Sequence, residues 1–162
     1  MTARASWSWA AQCPLNWHQL CFVAGGASSK RAISARHRLC VQAGRTASLA
    51  ARWLATLYRR DIDRRGALVV AISQSGQTEE IVATQEWARG CGAATIAVTN
   101  VAGSPLAQAA DLAMVTRAGP ERAVPATKTF TTQLPAMAVL ARALAPAPRA
   151  PAADLDRVPA EH

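Results

Sequence analysis

Apolar positions along this chain come in short blocks, and the clearest is Ala67-Leu68-Val69-Val70-Ala71-Ile72. An uninterrupted apolar run of this length, bounded by turn residues, predicts a strand buried on both faces, as in a parallel sheet. It feeds directly into Ser73-Gln74-Ser75-Gly76-Gln77-Thr78. Helical spacing then begins at Glu79, with Ile81, Val82, Trp87 and Ala88 on one stripe. Gly90 and Gly92 are placed to end that helix. The same sequence of strand, turn and helix recurs on both sides. Residues 20–24 predict an earlier strand, followed by Gly25-Gly26-Ala27-Ser28-Ser29 and a helix-compatible stretch over 30–36 in which Ser28 or Ser29 would serve as N-cap. Residues 94–99 predict the next buried strand, 100–104 a turn, and Pro105 opens a short helix through Ala109.

The remaining blocks carry weaker signals. Residues 39–41 predict a brief strand and 42–44 a turn, while 47–58 place Leu49, Ala50, Trp53, Leu54 and Leu57 at helical spacing. A charged connection follows over 61–66. Residues 111–115 predict a further strand, broken at Gly119-Pro120, and an Ala-rich helix is expected from about Pro125 to Leu144. Pro135 falls inside it, so a kink or interruption is expected there. Residues 1–19 hold Trp7, Trp9 and Trp17 without a period of either kind and receive no assignment. The Pro- and Ala-rich residues 146–162 read as an extended tail, which leaves 20–145 as the domain. Alternating strand and helix predicts an α/β fold, a parallel sheet with helices on both faces.

Composition narrows the picture without redirecting it. The chain has 162 residues, 51% hydrophobic and 17% charged, which suits one globular domain with a substantial core. No apolar run approaches the ~20 residues needed to cross a bilayer, and the amino terminus lacks the apolar core of a signal peptide. A cytoplasmic protein that does not engage membranes is expected. Cysteines at 13, 21, 40 and 91 form no CxxC pair, and His18, His37 and His162 are scattered, so no metal site is expected. The net charge of +8 comes almost wholly from arginine; Lys30 and Lys128 are the two lysines. Without a helix-turn-helix, zinc-finger or aromatic-interleaved basic pattern, solvated surface charge explains it best. Attraction of a phosphorylated substrate comes second and nucleic acid a distant third.

The candidate chemistry lies at the turn after the 67–72 strand. Every position from 73 to 78 carries a hydrogen-bonding side chain or a glycine, at the carboxyl end of a strand and the start of a helix. Unpaired N–H groups of a first helical turn favour an anion, hydroxyls add donors, and glycine permits close approach of the backbone. A capped helix start would account for Ser73 and Gly76 alone; the whole set favours anion binding. The spacing is not that of a P-loop. A second candidate stretch, 118–134, places Lys128 among hydroxyls near a helix start and Glu121 in the loop before it.

Three segments together resemble a known family. They are Ile72-Ser73-Gln74-Ser75-Gly76-Gln77-Thr78, then Thr99-Asn100-Val101-Ala102-Gly103-Ser104-Pro105-Leu106, and then Ala118-Gly119-Pro120-Glu121 with Ala126-Thr127-Lys128-Thr129-Phe130-Thr131-Thr132-Gln133-Leu134. Their order and spacing resemble the sugar isomerase (SIS) domain, in particular the first of two such lobes in the isomerase half of glutamine–fructose-6-phosphate aminotransferase and its glutaminase-less relatives. The resemblance is specific from about Leu68 to Leu144. It implies a three-layer αβα domain on a doubly wound, flavodoxin-like parallel sheet of about five strands, which grips the phosphate of a phosphosugar through Ser73, Gln74, Ser75 and Thr78, with Ser28 contributing from the turn after the first strand. Residues 44–48 look similar locally, but they leave little room for a βαβ unit of roughly 30 residues before Leu68. The resemblance further implies that Val124, Ala126 and Lys128 line the sugar, with Ala126 standing where relatives often have serine. It calls for no cofactor and implies a homodimer or pairing with a second SIS lobe.

The activity implied is sugar-phosphate isomerisation or an aminotransferase-like reaction on a hexose 6-phosphate or amino-sugar 6-phosphate. In the two-lobe relatives the acid/base residues come largely from the second lobe. Here Glu79, Glu80 and Glu121 are the nearby carboxylates, and no residue is assigned to proton transfer. The expectation is therefore a single phosphosugar-binding lobe, with a non-catalytic phosphosugar sensor as the alternative.

Overall fold

The computed structural model describes residues 17–25, 32, 33, 37, 46–49, 62–119 and 127–144, with side chains left aside at 127–130. Five strands form one sheet in the order β2-β1-β3-β4-β5: β1 (Gln19–Ala24), β2 (Ala47–Leu49), β3 (Ala67–Ile72), β4 (Ala94–Thr99) and β5 (Leu112–Val115). Every neighbouring pair is parallel. The central register aligns Leu20 with Leu68 and Phe22 with Val70 on one side of β3, and Leu68 with Ala94 and Val70 with Ile96 on the other. Three helices are described: α1 (Glu79–Gly90), α2 (Pro105–Ala109) and α3 (Thr127–Leu144).

Side chains alternate across each strand, so the sheet builds two cores. Leu20, Phe22, Leu68, Val70, Ile72, Ile96 and Val98 face one layer, where they meet Met137, Leu140, Ala141 and Leu144 of α3. Cys21, Val23, Val69, Ala71 and Ala97 face the other, against Ile81 and Ala88 of α1 and Leu106 of α2. All six residues of β3 are buried, as a strand covered on both faces requires. The parallel sheet covered on both faces that the alternation of blocks predicts, and the three-layer, doubly wound form that the resemblance implies, are the fold observed.

Several boundaries agree with the pattern, and others do not. The 67–72 and 94–99 strands, the helix from Glu79 and the short helix opened by Pro105 lie where expected. The predicted helix over 47–58 does not begin there. Ala47–Leu49 form the edge strand β2, paired Leu20 to Ala47 and Phe22 to Leu49. Ser48 Oγ donates to the Leu20 carbonyl at 3.3 Å and lies 3.0 Å from Cys21 Sγ. A three-residue edge strand is too short to show a period, and its pairing with β1 outweighs the helical spacing of Leu49 and Ala50. The predicted strand over 39–41 and the residues from 50 to 61 lie outside the described residues. α3 continues through Pro135 rather than being interrupted. Pro135 is exposed, and the buried Met137, Leu140, Ala141 and Leu144 hold the helix on the sheet despite one missing backbone donor. Trp17, left unassigned above, is 4% exposed and packs in the α3-side core, so the folded part begins before β1.

The core on the α1 side includes a buried amide. Gln85 on the sheet-facing side of α1 is fully buried, and neither its amide oxygen nor its nitrogen finds a partner among the described residues. An amide buried without partners costs about 1–3 kcal/mol. Gln85→Met keeps the unbranched shape and removes both polar atoms, so it is expected to raise the unfolding free energy by about 1–2 kcal/mol. A higher urea midpoint with an unchanged slope is the expected result.

Candidate functional site

In a parallel sheet all strands end on the same edge, so the turns after β3, β4 and β5 gather there. The chain steps from β1 outward to β2 and then crosses back to β3, which makes the β1/β3 border the point where strand order reverses. Crevices outside the carboxyl ends at such a border are the usual ligand sites of open α/β sheets. The 73–78 loop lies at this border.

The loop is held by its own polar groups. The Ser73 N–H donates to the Val98 carbonyl at 3.0 Å and carries the sheet pairing one residue beyond β3. Ser73 is buried, and its Oγ accepts the Gly76 N–H at 3.2 Å while lying 3.4 Å from Thr78 Oγ1. The Gln74 carbonyl accepts the Asn100 N–H at 3.0 Å and the Thr99 hydroxyl at 3.3 Å. The Gly76 carbonyl accepts the Leu106 N–H at 3.0 Å. Gly76 has φ +65°, and a Cβ there would lie 2.2 Å from Ser104 Oγ, so glycine is needed both for the turn and for the contact.

These anchors leave one side of the loop presented outward. Ser75 and Thr78 are exposed and Gln74 is half-buried, and Ser75 Oγ accepts the Gln77 N–H at 3.3 Å. Thr78 is the N-cap of α1, but its side chain makes no capping bond; its carbonyl accepts the N–H groups of Ile81 and Val82. Its hydroxyl therefore remains directed at the loop. Because Ser73 Oγ already accepts from Gly76, its own proton can be given to Thr78 or to an anion. Hydroxyls and main-chain N–H groups at a helix start suit a phosphate, and no full positive charge within the loop is required. Glu79 and Glu80 stand exposed in the first turn of α1.

Of the residues expected at the site, Ser73, Gln74, Ser75 and Thr78 are brought together in this one loop. Lys128 lies in the first turn of α3, a placement that concerns its backbone alone. Ser28, Val124 and Ala126 fall outside the described residues, as does Glu121. Thr99 was expected at the end of a strand and Asn100 and Ser104 in the turn after it, all within a segment that carries the family resemblance; together they form the wall behind the loop. Ser104 is buried, and its Oγ accepts the Ala107 N–H as the N-cap of α2. Among the described residues no three His, Cys, Asp or Glu side chains gather to hold a metal ion. No described helix is long and apolar enough to cross a membrane.

The SIS domain matches residues 15–143. The chain belongs to the SIS domain family. It is 48% identical over 83 residues to glutamine–fructose-6-phosphate aminotransferase of Clostridium acetobutylicum, an alignment covering 51% of this chain and 14% of that protein. Among solved structures, a candidate phosphosugar isomerase of Silicibacter pomeroyi superposes with a TM-score of 0.78 at 30% identity, over 88% of this chain and 42% of the other. The C-terminal domain of glucosamine-fructose-6-phosphate aminotransferase from Francisella tularensis gives 0.72 at 30% identity, over 80% and 37%. This SIS domain thus spans a small part of the curated aminotransferase it matches and less than half of these two solved chains.

Proposed function

We propose that this SIS domain binds the phosphate of a hexose 6-phosphate or amino-sugar 6-phosphate in the 73–78 loop. Ser75, Thr78 and Gln74 are the outward ligands, and Ser73 supports them from inside the loop while offering its hydroxyl proton. Ser28 joins them from the turn after β1, and Val124, Ala126 and Lys128 line the sugar. The observation that carries this reading is the presentation of Ser75 and Thr78 at the start of α1, on a backbone anchored from β4 and α2. The SIS relatives, among them an enzyme named for fructose 6-phosphate, support the sugar phosphate over a nucleotide.

The domain acts as one lobe, and catalysis of isomerisation would require acid/base residues supplied by a second lobe or a second copy. Glu79 and Glu80, exposed in the first turn of α1, complement the helix dipole, and neither is assigned to proton transfer. The sensor reading shares the site and differs only in lacking turnover.

Calorimetric titration of the folded protein with fructose 6-phosphate and with glucosamine 6-phosphate tests the proposal. Saturable binding is expected to at least one of them. Ser75→Ala is expected to weaken it about tenfold to a hundredfold, the loss of one hydrogen bond to a charged group. Absence of binding by the folded wild type, or affinity unchanged by Ser75→Ala, would overturn it.

A further inference from the structure

Asn100 follows the last residue of β4 and ties the phosphate loop to the segment leaving β5. Its backbone N–H donates to the Gln74 carbonyl at 3.0 Å, inside the phosphate loop. Its side chain turns the other way, to the segment leaving β5. There Oδ1 accepts the Ala118 N–H at 2.6 Å and the Thr116 hydroxyl at 3.2 Å, and Nδ2 donates to the Gly119 carbonyl at 2.8 Å. The amide orientation is decided by this set, because reversing it would set the nitrogen against the Ala118 N–H.

The segment so held is not one that would keep its shape unaided. The Thr116 N–H still pairs with the Thr99 carbonyl, extending the β4–β5 ladder by one step. Beyond it, Arg117 has φ +51°, the one non-glycine residue with positive φ among the described residues, and Gly119 has φ +75°. A left-handed conformation is strained for a non-glycine residue and persists only where surrounding contacts impose it. The Asn100 amide, bonded to residues on both sides of Arg117, is that constraint.

We propose that Asn100 is a positioning residue that couples the phosphate loop to the exit of β5. It thereby fixes the phosphate loop relative to Gly119. The inference rests on the phosphosugar reading above, since that reading assigns the sugar to residues after Gly119 and the phosphate to the loop before α1. A side-chain change at position 100 keeps the backbone tie to Gln74 and cuts only the tie to β5. It should separate the sugar from the phosphate in their contributions to affinity.

The test follows the Gly76 and Gln77 amides by NMR while the full chain is titrated with inorganic phosphate and, separately, with fructose 6-phosphate or glucosamine 6-phosphate, whichever the wild type prefers. Asn100→Ala is expected to weaken the sugar phosphate about tenfold and inorganic phosphate by no more than about twofold. Thr116→Val, which removes one of the three side-chain ties, should show a smaller loss of the same kind, and the double variant should be no worse than Asn100→Ala alone. Faster exchange of the Ala118 amide in Asn100→Ala would report the severed tie without any ligand. An equal loss for both ligands would reduce Asn100 to a support of the loop and overturn the coupling, as would no loss for either. A wild type that binds phosphate but gains nothing from the sugar would overturn the coupling and leave the phosphate loop standing. A wild type that binds neither would overturn the phosphosugar reading itself, and the coupling with it.

Discussion

Gly76→Ala is expected to destabilise the protein by roughly 2–4 kcal/mol and to abolish phosphosugar binding under conditions where the wild type saturates. Two costs add. The backbone at Gly76 sits at φ +65°, a left-handed conformation that an L-residue adopts at a cost of roughly 1–2 kcal/mol. The new Cβ would also meet Ser104 Oγ at 2.2 Å, Ser104 Cβ at 2.6 Å and Thr99 Oγ1 at 2.9 Å, none of which is a free chain end. Ser104 caps α2, and Thr99 holds the Gln74 carbonyl, so neither can withdraw without breaking a bond of the site. Combining the change with Ser104→Ala relieves the closest contact but leaves Cβ against Cβ. Rescue should therefore be small. Denaturant midpoints for the single and double variants, beside calorimetry, check this. A Gly76→Ala protein as stable as the wild type would mean that the loop is not braced against α2.

Asp111→Ala is the second large effect, and it acts at the opposite edge of the sheet. Asp111 Oδ2 accepts the Thr95 N–H at 2.9 Å and the Thr95 hydroxyl at 2.7 Å, and the Asp111 N–H donates back to Thr95 Oγ1 at 2.9 Å. β4 and β5 pair from Ile96 opposite Leu112, so this carboxylate closes the ladder at its amino end, where the next strand residue would have been. Thr95 is 1% exposed, and removing its acceptor leaves a buried main-chain donor unsatisfied. The expected loss is about 2–3 kcal/mol. The Arg89 Nε contact at 2.9 Å joins side chains 52% and 42% exposed, so Arg89→Ala should cost no more than about 1 kcal/mol. Asp111→Asn, which keeps an oxygen for Thr95, should fall between the two. Urea unfolding of the three variants gives the order, and an Arg89 effect as large as that of Asp111→Ala would contradict it. Phosphosugar affinity should be untouched by all three.

Much of the architecture was legible because it depends on near neighbours in the chain. Six apolar residues from Ala67 to Ile72 can be satisfied only by cover on both faces. The hydroxyls and glycine that follow require a turn, and Pro105 after Ser104 starts a helix wherever it occurs. Residues 47–49 misled because three residues of strand have no period of their own, and the helical spacing running through them was the stronger local signal. Trp17 was silent for a similar reason. A lone tryptophan outside any periodic stretch does not reveal which core receives it.

By itself, then, the sequence determined the α/β class, the strand at the centre, and the chemistry of the loop after it. These are consequences of burial and local backbone preference, which act within about ten residues. Only the tertiary structure decided the strand order, with β2 at one edge and β5 at the other, because pairing partners are chosen by contacts between residues far apart in the chain. It also decided that Ser73 braces the loop from inside while Ser75 and Thr78 face outward, and that Asn100 reaches back to Gln74 and forward to Gly119. A hydroxyl or an amide carries no mark in sequence of which neighbour will satisfy it; that is settled when the strand ends are brought to one edge of the sheet.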